Sequence, residues 1–95
     1  MLKLVRTPAA ARDLAAITDF IAADNLTAAL GFYDEVGRLL ARIAEYPEMG
    51  EAVDRLSPGL RRFTLGNYLL FYRRVDDVIE LIRVLHGARD IDQLI

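Results

Sequence analysis

The sequence predicts an α+β fold: an N-terminal strand, an antiparallel helical hairpin, and an antiparallel sheet built on a three-stranded C-terminal meander, with the hairpin packed on one sheet face. Three observations carry this. Residues 60–90 alternate with period two and are rich in Leu, Phe, Tyr, Val and Ile, interrupted only at Gly66-Asn67 and Asp76-Asp77. Upstream, two stretches repeat apolar residues at three- and four-residue spacing. Only a few residues separate those two stretches, which forces neighbouring antiparallel helices.

Taken in order, Leu2 to Val5 is a short apolar run that reads as a first strand. Thr7-Pro8 ends it and starts a helix, with Thr7 as N-cap and Pro8 at the first helical position, where its missing N–H costs nothing. Ala10, Leu14, Ile17 and Ile21 form one apolar stripe, flanked by Phe20, and the helix is expected to end near Ala23. Asp24 and Asn25 supply turn and cap. A second stripe then runs through Ala29, Phe32, Tyr33, Val36, Leu40 and Ile43, until Pro47 stops the helix at about Tyr46. Gly31 and Gly37 lie inside it at up to ~1 kcal/mol each relative to alanine, which suggests close packing against a neighbouring helix. Residues 47–59, with Pro47, Gly50, Pro58 and Gly59, read as a surface connection. The eight-residue tail after Gly87 suits either a short helix or mobile chain.

Two-residue loops fix the meander's register: Leu65 opposite Tyr68, Phe63 opposite Leu70, Val75 opposite Val78 and Arg73 opposite Glu80. A first face then holds Phe63, Leu65, Tyr68, Leu70, Tyr72, Ile79, Leu81 and Leu85, with Arg61, Arg74 and Arg83 among them. The second holds Leu60, Arg62, Thr64, Leu69, Phe71, Arg73, Val75, Val78, Glu80, Ile82, Val84 and His86. The hairpin can cover only the first face. The second is left apolar at Leu69, Phe71, Val75, Val78, Ile82 and Val84, a patch that calls for a protein partner. Arg83, placed inward, requires either an acid on the first helix, such as Asp13 or Asp19, or a bulge that shifts the register. Tyr68 and Tyr72 read as core residues with hydroxyls at the rim.

Composition narrows the function. Ninety-five residues, 54% apolar and 27% charged, make one folded domain over residues 1–95, and no run is long enough to span a membrane. With no signal-peptide pattern at Met1, a cytoplasmic location is expected. No cysteine and one histidine exclude disulfides, thiol catalysis and the usual zinc sites, and no cofactor is expected. The net charge of −2 divides into −3 over residues 1–59 (6 basic, 9 acidic) and +1 over residues 60–95 (6 basic, 5 acidic). Arg61, Arg62, Arg73 and Arg74 crowd residues 60–75 without an acid, which fits solvated strand edges or an anion-binding patch equally. His86, at the end of the last strand, suits a general base or a phosphate contact, although a lone strand-end histidine is more often structural.

The element order, together with Arg61-Arg62-Phe63, Gly66-Asn67-Tyr68, Phe71-Tyr72-Arg73, the Pro47-Glu48-Met49-Gly50 turn and the ending Val84-Leu85-His86-Gly87-Ala88-Arg89-Asp90, resembles the RelE/ParE toxins of bacterial type II toxin–antitoxin systems. The resemblance covers nearly the whole chain. It implies a plasmid-stabilization-type toxin neutralised by a cognate antitoxin that wraps it with helix and extended strand, and operator DNA bound only through that antitoxin. It places the antitoxin on Leu69, Phe71, Val75, Val78, Ile82 and Val84. The ribonuclease branch of the family matches at Arg62 but has basic residues where Thr64 and Leu69 stand here, and a tyrosine after the last strand that is missing. The resemblance therefore implies a ParE-like, non-catalytic inhibitor of DNA gyrase. The alternative it leaves is a ribosome-dependent mRNA endonuclease with Arg62, Arg73, His86 and Arg89 around the scissile phosphate.

Overall fold

The computed structural model describes residues 2–87 and Ile91. Strand β1 (Lys3–Arg6) leads into α1 (Pro8–Ala22) and α2 (Leu26–Glu45), then β2 (Glu51–Ala52), β3 (Leu60–Leu65), β4 (Tyr68–Val75) and β5 (Val78–His86). The expected α+β fold is present, as two helices on a five-stranded sheet of order β1-β5-β4-β3-β2. The sheet is mixed, because β1 runs parallel to β5 while the other pairs are antiparallel. Thr7 caps α1 by accepting from the Ala10 N–H at 3.1 Å, and Asn25 caps α2 by accepting from the Ala28 N–H at 3.0 Å. The connection at 47–59 contains the short β2, paired to Arg61 and Arg62, which two residues give no periodicity to reveal. Apart from Ile91, the tail after Gly87 lies outside the described residues.

The turns form at the expected pairs, with positive φ at Gly66 (59°) and Asp76 (55°), conformations that Gly and Asp tolerate. Leu65 faces Tyr68, Phe63 faces Leu70, Val75 faces Val78 and Arg73 faces Glu80. Further along β5 the register shifts: Tyr72 pairs with Leu81 but Phe71 with Arg83, leaving Ile82 as a bulged extra residue. Both solutions to the Arg83 problem are realised, since Arg83 also pairs with Asp13 of α1. Beyond the bulge every β5 side chain changes face. Val84 and His86, expected on the second face, lie with the helices, and Leu85 takes the opposite side.

The two faces carry separate cores. On the helix side Ala10, Leu14, Val36, Leu40 and Ile43 pack on Leu70, Tyr72, Ile79, Leu81 and Val84. On the other side Val53, Leu60, Phe71 and Leu85 form a second cluster, with Leu56, Leu69, Ile82 and Ile91 against it. The expectation that the chain leaves the second face uncovered is therefore corrected: the connection folds back and Phe71 is wholly buried. Gly31 and Gly37 do not mark tight helix packing either, since a Cβ on either would meet nothing within 4 Å.

Candidate functional site

Most of the large exposed apolar side chains among the described residues lie on the hairpin and the edge strand. Along α2, Leu26 (63% exposed), Leu30 (57%) and Tyr33 (45%) are followed by exposed Gly37 and Ala41, at spacings of four, three, four and four residues. That spacing is a second stripe, turned away from the core stripe of Ala29, Val36, Leu40 and Ile43. Tyr33, expected in the core, belongs to this outer stripe. Beside it runs β1, all four of whose residues are exposed. Leu4, Val5, Arg6, Gly37 and Leu40 line a groove of about 410 Å³ between strand and helix. The Arg6 guanidinium sits 5.5 Å from the Tyr33 ring centroid and donates to its hydroxyl at 3.2 Å, tying the two elements together.

β1 is also a sheet edge. Its Lys3 N–H donates to the Asp77 carbonyl and the Thr7 N–H to Leu81, so the intervening Leu4 and Arg6 present backbone groups to the free side. The opposite stretch of β5 is treated differently. Past Leu81 it has no strand partner on that side among the described residues, and side chains serve it instead: the Thr7 hydroxyl donates to the Ile82 carbonyl at 2.8 Å, and Asp13 accepts from the Val84 N–H at 3.0 Å. The same carboxylate receives Arg83 Nε at 2.7 Å and Nη2 at 3.0 Å. That hydrogen-bonded pairing raises the Arg83 pKa above its already high ordinary value, against the opposing effect of burial.

The sequence-derived partner residues are dispersed. Phe71 and Val84 are buried, Val84 beneath the helices. Leu69 and Ile82 are half-buried against the second cluster. Val75 (45% exposed) and Val78 stand at the β4–β5 turn, where Val78 is in register with Lys3 and so adjoins the β1 surface.

The candidate catalytic residues do not converge. Arg62 is committed to Glu51 of β2 at 2.7 Å, and Arg61 donates to the Gly50 and Glu48 carbonyls. Arg74 Nε is held by the Asp76 carbonyl. Arg73 shares a face with Arg62 but sits one pleat repeat further along, opposite Leu60, and makes no ion pair with Glu80. His86 is on the other face, edge-on to Tyr68 at 5.4 Å, and Tyr68 in turn meets Phe32 of α2 at 5.1 Å. Arg89 lies outside the described residues. The outer α2 stripe was present in the sequence as Leu26, Leu30, Tyr33 and Gly37, but it overlaps the core stripe so closely that hydropathy alone merges the two.

No described helix is long and apolar enough to cross a membrane. Compared with known proteins, residues 4–91 match the family model described as the ParE toxin of the type II toxin-antitoxin system parDE. The chain is 37% identical to Toxin ParE1 of Mycobacterium tuberculosis over 60 residues, 62% of this chain and 61% of that protein. It is 41% identical to Toxin ParE1 of Caulobacter vibrioides over 54 residues, 57% of this chain and 55% of that protein. The matched stretch thus spans about three-fifths of the length of these relatives. A chain of the chromosomal ParDE system from P. aeruginosa superposes with a TM-score of 0.74 over 90% of this chain and 96% of that one, and at 24% identity shares its fold. With nearly every described element inside the matched residues, the chain belongs to the ParE toxin family.

Proposed function

We propose that this chain is the toxin of a type II toxin–antitoxin pair, an inhibitor of DNA gyrase acting in the cytoplasm and held inactive by a cognate antitoxin. The family match over residues 4–91 is the observation that carries the toxin reading. Support for gyrase rather than message cleavage comes from the dispersal of the cationic groups. A ribonuclease must gather donors around one phosphate, whereas here Arg62 is engaged by Glu51 and His86 projects from the opposite face.

The antitoxin's seat is proposed as the outer stripe of α2, the free edge of β1 and the adjoining Val75–Val78 corner. An amphipathic helix can lie along Leu26, Leu30, Tyr33 and Gly37, and an extended segment can add to β1 through Leu4 and Arg6. This relocates most of the contact from the second face, which the chain largely covers by itself. Operator DNA is reached only through the antitoxin.

The deciding experiment is induction of the chain alone in a bacterial host, with supercoiling assays on purified gyrase and primer extension on ribosome-bound messages. Lost supercoiling or trapped cleavage complexes, with messages intact, is the expected result. Message cuts that vanish in Arg62→Ala or His86→Ala would overturn it in favour of the nuclease.

A further inference from the structure

We propose that the depression between the start of α1 and the 53–60 connection, on the sheet face away from the helices, binds a small organic phosphate with Arg73 as its cationic anchor. The depression shares no residue with the proposed antitoxin seat on α2, β1 and the Val75–Val78 corner, and its occupancy does not depend on the toxin reading.

The depression is about 350 Å³ and is walled by Leu56, Leu60 and Ile82, with Arg73, Arg83 and Ser57 among its polar side chains. Its volume falls at the small end of the range for ligand pockets and well above that of a bare phosphate ion. Four arginines crowd β3 and β4, and three of them are spent: Arg61 on backbone carbonyls, Arg62 on Glu51, Arg74 on the Asp76 carbonyl. Arg73 makes no hydrogen bond or ion pair among the described residues, although Glu80 faces it in register. Its stem lies over Gly59, where a Cβ would stand 3.6 Å from the Arg73 Cδ, so the side chain is directed across the connection and not along the strand. The connection is fixed beneath it by the Gly59 N–H to Asp54, the Leu60 N–H to Ser57 and the Leu56 N–H to Val53.

The Ser57 hydroxyl likewise makes no hydrogen bond among the described residues. Thr7 and Ala9, at the positive end of the 15-residue α1, complete the rim. Among the described residues no acidic side chain lines the depression, and the Asp13 carboxylate beside it accepts from Arg83 and the Val84 N–H. A free planar guanidinium and a free hydroxyl facing an apolar wall suit a phosphoryl group attached to an apolar or cyclic body. A carboxylate would leave part of that donor set unused.

The test uses the whole chain, titrated with phenyl phosphate, inorganic phosphate and benzoate, and followed by amide chemical shifts. Phenyl phosphate is expected to move the signals of Ala9, Ser57, Gly59 and Ile82 and to bind more tightly than inorganic phosphate. Arg73→Gln, which keeps the stem over Gly59, should weaken it about tenfold, and Ser57→Ala less. Arg62→Gln should leave it unchanged. Equal weakening by Arg62→Gln and Arg73→Gln would reduce the effect to diffuse surface charge and overturn the site. Equal affinity for benzoate would overturn the phosphate assignment, and no shift at about 10 mM phenyl phosphate would overturn both. Thermal melts of each variant show whether the fold has been kept.

Discussion

Tyr72 has a heavier duty than its place in the middle of a strand suggests. Its ring is fully buried, and its hydroxyl donates to the Pro47 carbonyl at 2.8 Å while accepting from the Gly50 N–H at 2.8 Å. The phenol thereby pins the turn that follows α2 to the centre of the sheet. Gly50 must be glycine, because an added Cβ would lie 2.6 Å from that oxygen and 2.9 Å from the Arg62 carbonyl. Tyr72→Phe should cost about 1–3 kcal/mol in urea denaturation, since it strands the Gly50 N–H and the Pro47 carbonyl while leaving ring packing intact. Burial raises the Tyr72 pKa above the ordinary 10, outweighing the opposing effects of the Gly50 N–H and Arg61. The folded state therefore holds this proton more tightly than the unfolded one. Stability is fully present below about pH 10 and falls as pH rises through the folded value, and in Tyr72→Phe that part of the alkaline decline should disappear. Asp13→Ala should destabilise by about 2–3 kcal/mol, because it removes the carboxylate that accepts from both the Arg83 guanidinium and the Val84 N–H; thermal melts would show this, and Asp19→Ala serves as the exposed control. The Asp13–Arg83 contact was legible in the sequence as one way to place an inward arginine. The Tyr72 bonds were not, because they join residues 22 and 25 positions apart through an irregular turn.

At the scale of elements, the caps, the two helices and the meander were legible, because each rests on local chemistry: Thr7-Pro8, Asn25, Pro47, and period-two runs broken by two-residue turns. The bulge at Ile82 was legible only as a conflict at Arg83. Its consequence, the change of face by Val84, Leu85 and His86, needs the actual pairing, since one inserted residue reverses everything after it. The fold-back of Val53 and Leu56 over Phe71 left no periodic trace at all. Gly37 now has a different meaning. A glycine inside a helix costs up to ~1 kcal/mol, and this one relieves no crowding within the chain. Gly37→Ala should therefore raise the stability of the isolated chain by up to about 1 kcal/mol in thermal melts. If a partner helix approaches closely there, the same change should weaken antitoxin binding measured by calorimetry. Leu30→Glu should leave the melting temperature nearly unchanged, as expected for a side chain 57% exposed, while abolishing neutralisation in a co-expression growth assay. Neutralisation that survives Leu30→Glu and Tyr33→Ala together would move the antitoxin elsewhere.

For the molecule as a whole, the decisive feature is a sheet with apolar side chains packed on both faces by the chain itself. β4 supplies Leu70 and Tyr72 to the helix-side core and Phe71 to the other, all three wholly buried. Neither core can come apart without disturbing the strands that hold the other, so unfolding should be one cooperative transition. A domain of this length has roughly 5–14 kcal/mol of stability to lose. If the 53–60 connection were a loosely attached flap, Phe71→Ala would cost little, since the freed site would fill with water or collapse. If it is an integral layer, truncating a fully buried phenylalanine should cost about 3–5 kcal/mol, comparable with Leu70→Ala at about 2–5 on the helix side. Urea denaturation of both variants separates the cases. Matching losses with an unchanged slope mean a single two-sided core, whereas a small loss for Phe71→Ala with a reduced slope means that the second face opens by itself. In the second case the buried face would again be available to a partner that displaces the connection, and the antitoxin seat would have to be sought there.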